Sequence, residues 1–340
     1  MIQLPYGPRQ RFRRHHDDIN IIGRTDARLA PLLAQFRLNR GDPTSFYIEP
    51  EEKASDPPQF PYGMKTPGCH RLRKCPGWFN LEIPIDSSRL IAGWNTVDID
   101  IVGRDGTSHH TSAEFCWDPR PPQLPLDLTN LREFDSIQGL GQAVNGMFEL
   151  DVDSNVIRAA KPVGPDILLL LGPPTRSQEA TYRVQFGSPS GTWLGLSDFF
   201  VGHVEQSAEL GIKPGYSTNG LATLGRDGGA HVWIAWGDNL IGSNKSWIVQ
   251  TRPGLKKFPI QPGRKYRVRH QVRVTDALNS CRFRIWPEGE AEPSTWLCKI
   301  NNAAIPAHLP RNHLASFGLF QYFGSPTEWS DIRLQSLEVE

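Results

Sequence analysis

The stretch YRVRHQVRV, from Tyr266 to Val274, alternates without a break. Tyr266, Val268, His270, Val272 and Val274 fall on one side, and Arg267, Arg269, Gln271 and Arg273 on the other. Successive side chains of an extended chain point to opposite faces, so period two marks a strand with one buried face and one wet face. A sheet built this way must have its apolar side covered by a second layer. Its wet side here carries guanidinium groups.

The same pattern recurs along the chain. In the C-terminal part it reads MFELDV, DILLLLG, ATYRVQF, HVWIAW, SWIVQT, CRFRIW, FGLFQYF and DIRLQSLEV. Nearer the N-terminus come LLAQFRLN, SFYIEP and WFNLEIPI, then AGWNTVDIDIVGRDG leading to a last strand at Trp117. In these, Phe79, Leu81, Ile83 and Ile85 share a face, as do Val97, Ile99 and Ile101, with a turn over Gly103–Gly106. Helical periodicity is confined to HVEQSAELGI. With 31 Gly, 29 Pro and only 3 Met, the composition suits short strands joined by turns. The predicted class is all-β.

Organisation follows from composition shifts. Residues 1–18 are polar and basic and read as an arm; 19–118 read as a small β-sandwich. The run DPRPPQLPLD places a Pro-rich, extended spacer at 119–128. Residues 129–340 form a second, larger β domain. The chain of 340 residues is long enough for two such cores.

Charge and hydropathy exclude some partners. A formal net charge of +1 gives no global basic field for nucleic acid. The longest apolar run, Ile167–Leu171, fits a buried strand and not a membrane span. The opening MIQLPYGPRQRFRRHHDD has no apolar core of a secretion signal. Five cysteines leave an odd one. Cys69 could bridge Cys75, and Cys281 could bridge Cys298 across a hairpin, with Cys116 left over; reduced, half-buried thiols are the other reading. A zinc site from Cys69, His70 and Cys75 lacks a fourth ligand at the usual spacing.

Two resemblances follow from these motifs. FNLEIPI and LIAGWNTVDIDIVGRDG, with Leu90, Gly93, Asn95 and Val97 at a corner and Asp105-Gly106 at a turn, resemble bacterial immunoglobulin-like or fibronectin-type modules. Such modules serve mostly as spacers or adhesion units. From Leu131 onwards, GLGQAVNGMFEL, DILLLLG, PGRKYRVRHQVRV, FRIWPEGEAEPSTW and FGLFQYFGSPTEWSDIRLQSLEV are similar to the laminin-G-like branch of the concanavalin A-like jelly roll. That resemblance implies two antiparallel sheets, a glycan site on the concave one, and an extracellular or surface setting. It also implies one structural calcium, with Asp331 as a ligand and Glu149 or Asp151 as its partner.

No catalytic set stands out. Retaining and inverting glycosidases need two carboxyl groups flanking the scissile bond, and no Glu-x-Asp-x-x-Glu strand occurs. Glu288, Glu290 and Glu292 alternate in PEGEAEP, which reads as a solvated acidic turn, while Asp198, Glu205 and Asp238 are isolated. A polysaccharide lyase on this fold would interleave a Glu between strand arginines, and Arg267 to Arg273 do not. His270 has core parity. Binding is better supported: Arg267, Arg269, Arg273, Arg282 and Arg284 form a stripe whose planar forks suit carboxylate or sulfate. His231 and Trp233, on the polar side of HVWIAW, add a plate for a sugar ring. Trp286, Trp296 and Trp329 read as loop staples. The expected function is non-catalytic recognition of a carbohydrate, or of another protein. A glycan-degrading enzyme and a structural subunit of a surface layer or virion remain as alternatives, and oligomerisation is open.

Overall fold

A computed structural model describes residues 1–15, 18–29, 31–48, 76–161, 167–187, 195–200, 217–224, 230–235, 248–251, 258, 260–274, 278–304, 316–321 and 324–337. The protein is all-β. The Cys69–Cys75 segment, HVEQSAELGI, Glu205 and Asp238 lie outside the described residues.

Residues up to Asp118 contribute β1 (Arg9–Arg13), β2 (Asp18–Arg24), β3 (Pro31–Leu38), β4 (Pro43–Ser45), β5 (Trp78–Pro84), β6 (Gly93–Gly103) and β7 (Ser108–Asp118). They form a five-stranded sheet, β1-β7-β6-β3-β4, facing the pair β2-β5. Phe12, Phe36, Phe79, Ile99 and Phe115 close the core between them. The burial of β5 alternates as its sequence predicts. The corner before β6 is pinned by Asn95, which is 1% exposed. Its amide donates to the Ile91 and Gly93 carbonyls (2.8 and 2.9 Å), and its oxygen accepts from the Ile91 N–H and from Asn39 Nδ2. Gly93 turns this corner at φ +95°, a conformation that suits glycine. At Gly23 the Phe79 ring lies where a Cβ would stand, 2.2 Å away, so only glycine lets this aromatic cross β2.

Two expectations change here. The basic N-terminus is not an arm. Arg9–Arg13 pairs in parallel with β7, because Gln10 and Phe12 supply an inward face for the strand. SFYIEP is not a continuous strand either. Pairing with β3 falls on Pro43–Ser45, and Ile48 makes one isolated bridge to Phe79.

The remainder builds a larger antiparallel sandwich. Its first elements are β8 (Leu126–Leu128), the short helical turn α1 (Ile137–Leu140), β9 (Gln142–Asn145), β10 (Phe148–Asp151), β11 (Val156–Ala159), β12 (Ile167–Leu170) and β13 (Ser177–Gln185). Then come β14 (Gly195–Phe200), β15 (Ser217–Leu224), β16 (Ala230–Ala235) and β17 (Ile248–Thr251). The last are β18 (Lys265–Val274), β19 (Leu278–Pro287), β20 (Cys298–Ala304), β21 (Gly318–Gln321) and β22 (Glu328–Ser336). One sheet has the order β10-β11-β22-β13-β18-β19-β20, with β8 joined to β22; the other runs β17-β16-β15-β14-β21-β12-β9. Tyr182, Phe186, Tyr266, Phe283, Trp329 and Ile332 are core residues. Trp329 is thus a core residue and not a loop staple. The final strand lies inside its sheet, between β11 and β13, and the Pro-rich run ends as β8 on that same strand. Register sets Phe283 opposite Cys298 and Cys281 opposite Ile300, so the two cysteines are not cross-strand partners.

The two sandwiches meet along a buried polar seam. Gln10, His15, Asn20, Gln138, Gln142 and Asn145 are each no more than 3% exposed. Burying such groups is tolerable only when they are hydrogen-bonded. β9 ends its sheet, and its open carbonyls are met by side-chain amides from the first sandwich. Asn20 Nδ2 donates to the Ala143 and Val144 oxygens (2.8 and 3.0 Å), and Asn80 Nδ2 to Val144 (3.3 Å). In return Gln142 Nε2 donates to the Asp18 oxygen (2.8 Å). Tyr6 Oη donates to Gly146 O and accepts from Phe148 N–H. His15 Nδ1 donates to Gly172 O at 3.1 Å, and burial pushes this imidazole down to about 4. β2 serves both cores, with Ile19 and Ile21 on one side and Ile22 on the other.

Candidate functional site

β18 is flanked by β13 and β19, and the register stacks their polar residues into rows. Arg267 stands beside Arg183 and Trp286, Arg269 beside Thr181 and Arg284, and Gln271 beside Glu179 and Arg282. Alternation sends Tyr266, Val268, His270 and Val272 into the core and holds the arginines on the outer face. His270 is buried, and burial pushes its pKa down to about 3, so it is neutral.

The arginines are matched by acids. Glu179, 3% exposed, accepts from Arg269 Nη1 at 2.6 Å, from Gln335 Nε2 at 2.8 Å and from Gln271 Nε2. Arg267 Nη2 lies 3.0 Å from Asp331 Oδ2 and 3.4 Å from Glu288 Oε1. Arg183 grips the same two acids, at 2.8 and 2.7 Å. Glu292 receives Arg284 Nη1 at 2.6 Å and Arg269 Nη2 at 3.2 Å. Burial alone would raise the Glu292 carboxyl, but Arg284 and Arg269 outweigh it and hold it below the ordinary carboxylate range. The result is a charge-balanced ladder running across four strands, β22, β13, β18 and β19.

PEGEAEP is therefore not a solvated acidic turn. It folds back over the sheet, Glu288 and Glu292 onto the ladder and Glu290 onto Arg264 at 2.9 Å. At the end of the ladder Trp296 lies under two guanidiniums. The Cζ atoms of Arg282 and Arg284 stand 4.6 and 4.2 Å from its ring centroid, and Arg282 Nε also donates to Gln271 Oε1 at 2.8 Å. Trp296 carries this cation–π stack.

Among the residues expected at the site, Arg267, Arg269, Arg273, Arg282 and Arg284 do share one sheet face. His231 and Trp233 do not join them. β16 belongs to the other sheet, where Trp233 pairs in register with Leu221 and Gln250; their side chains lie outside the described residues. The calcium set is not assembled. Asp331 is claimed by Arg183 and Arg267, while Glu149 and Asp151 face Arg158 at 4.0 and 3.6 Å. Guanidinium partners already neutralise these carboxylates. Among the described residues no group of three or more His, Cys, Asp or Glu could hold a metal ion.

Sequence reasoning missed Glu179, Arg183 and Gln335. Their signal was parity: Glu179 and Arg183 alternate with Ala180, Tyr182 and Val184 in β13, as the arginines of β18 do. What pairs them is strand order, which parity does not reveal.

No family model and no curated protein matches the chain. Solved structures similar to it include carbohydrate-binding module CBM66 from Bacillus subtilis, at 11% identity and a TM-score of 0.37, covering 58% of this chain and 96% of that one. A seed lectin of Lotus tetragonolobus matches at 11% identity and a TM-score of 0.35, over 59% of this chain and 95% of that one. A GH43 protein from Bacillus licheniformis matches at 14% identity and a TM-score of 0.36, over 72% of this chain and 51% of that one.

Proposed function

We propose that the protein is a non-catalytic carbohydrate-binding protein, and that the ladder face with Trp296 is its binding surface. The observation that carries this reading is the juxtaposition of Arg282, Arg284, Glu292 and Trp296. A sugar ring presents an apolar face and hydroxyls that both donate and accept. With the Arg282 and Arg284 guanidiniums stacked on Trp296, a sugar would use the opposite face of the indole, beside fixed donors and acceptors. Because each of Arg267, Arg269 and Arg284 already holds an acid, the surface suits a neutral glycan better than an anionic one.

The same pairing speaks against hydrolysis on this face. A general acid must hold its proton near the working pH, which requires a raised carboxyl pKa. Glu292 is shifted the opposite way by Arg284 and Arg269. A glycan array with the full chain and a Trp296→Ala variant tests the reading. Binding to neutral glycans, lost in the variant, is expected; release of reducing ends from a bound polysaccharide would sink it.

A further inference from the structure

The first sandwich carries its own arginine row, on the outer face of the five-stranded sheet. In β1 the burial alternates, so Arg9, Arg11 and Arg13 point outward while Gln10 and Phe12 point in. Register places Arg9 beside Glu114, and Arg11 beside Cys116, with Trp94 next in the same row. Trp94 is 41% exposed, one of few large apolar side chains left in water, and Ile91 at the same corner is another. The Arg9 and Arg11 Cζ atoms stand 4.2 and 5.9 Å from the Trp94 ring centroid.

These guanidiniums are poorly matched by acid. Among the described residues Arg9 pairs only with Glu114, at 3.7 Å, with both side chains more than half exposed. Arg11 and Arg13 form no close ion pair among the described residues; Asp118, across from Arg13 and within its field, is held at close range by Arg120 at 2.9 Å. Charged side chains on a terminal strand can serve simply to discourage edge-to-edge pairing. That role needs no exposed indole. An indole held beside two cations on a rigid sheet, with Arg13 next along the strand, is instead a stacking plate with anion-binding forks around it.

We propose that this face binds an acidic glycan, with a sugar ring against Trp94 and Arg9 and its carboxylate or sulfate held by Arg11 and Arg13. A nucleic acid fits less well, because the face does not continue as a basic track. Beyond Trp94 along β6 it turns to Asp98 and Asp100, which engage Ser112, His110 and Arg37.

The test is calorimetric titration of the full chain with tetragalacturonate, a heparin-derived tetrasaccharide, cellotetraose and an oligo-dT of similar charge. At least one acidic tetrasaccharide should bind, more weakly as salt rises, and more tightly than cellotetraose does to the same chain once Trp296 is replaced by Ala. Trp94→Ala and Arg11→Gln should each weaken that binding roughly tenfold, the scale of one charge-assisted hydrogen bond. Arg11→Glu, a change at an exposed position, should abolish it without moving the melting temperature. Absence of acidic binding in the wild-type chain overturns the proposal, as does tighter binding of oligo-dT. Acidic binding retained in Trp94→Ala but lost in Trp296→Ala moves the site to the ladder and overturns it too. None of these outcomes decides whether the ladder binds neutral glycans, which cellotetraose reads separately.

Discussion

The two sandwiches each present an outward row of arginines, and the rows differ in what stands beside them. On the second, Arg183, Arg267, Arg269 and Arg284 close onto Glu179, Asp331, Glu288 and Glu292. On the first, Arg11 and Arg13 have no such partners among the described residues, and Arg9 has a long, exposed one. The local sequences look alike, RQRFR in β1 and RVRHQVR in β18. What separates them is supply of acid: β18 lies between a strand carrying Glu179 and a loop carrying three glutamates, whereas β1 ends its sheet. Arginine content therefore says little about an anion site; the acids brought in by topology decide it.

The largest expected effect is at Glu179. Replacing it with Ala leaves Arg269 half-buried with one acid fewer and Gln271 and Gln335 without their acceptor. Losing a buried carboxylate that accepts hydrogen bonds from one cation and two amides typically costs ~2–3 kcal/mol. Chemical denaturation of Glu179→Ala should show a loss of that order, and a loss under about 1 kcal/mol would mean the ladder is not a structural unit.

Next is the pH response beneath the second face. His270 is neutral when folded, with its pKa lowered to about 3 from 6.5. The unfolded chain binds a proton below pH 6.5 that the folded chain does not, so stability is full above 6.5 and falls between 6.5 and about 3. The slope for this one histidine is about 1.4 kcal/mol per pH unit. Denaturation midpoints between pH 7 and 4 should therefore fall less steeply in His270→Met; an unchanged slope would contradict the assignment. His15, lowered to about 4, adds its own share in the seam.

A smaller change converts one face into the other. Glu292→Gln removes the acid shared by Arg269 and Arg284, costing about 1–2 kcal/mol in hydrogen bonds to charged groups. It should make the ladder bind heparin-derived tetrasaccharide more tightly than the wild-type ladder is expected to. The variant should also lack the stability that Glu292 contributes, which is full above the ordinary value of 4.5 and is lost as pH falls from there through the lowered folded-state value. If the variant binds no better to the sulfated probe, supply of acid is not what sets the two faces apart.

The smallest effect is Arg11→Gln, expected within about 0.5 kcal/mol of wild type by thermal melting. A shift well beyond that would show that Arg11 has a structural role and is not held for a ligand.

Much of the fold was legible. Alternation located β5, β6, β13 and β18; the Leu90–Val97 corner was expected only from a resemblance, and the structure shows Asn95 satisfying it locally. His270 and the arginines took the faces their parity assigned. What stayed hidden depended on distant chain segments. Glu292 reaches Arg269 and Arg284 only because the loop after β19 folds back, and Asp331 reaches Arg267 only because β13 separates their strands by one position. The seam was the least visible feature. Gln10, Gln138, Gln142 and Asn145 are residue types of the surface, and only the docking of β2 and β5 against β9 buries them. Trp233 misled for the same reason, since its strand lies in the opposite sheet.

The most direct test of the contrast is one glycan array carrying neutral and acidic glycans, probed with the wild-type chain, Trp296→Ala and Trp94→Ala. Neutral hits should vanish only in Trp296→Ala and acidic hits only in Trp94→Ala. Loss of both classes in the same variant, or binding to no glycan at all, would contradict the contrast.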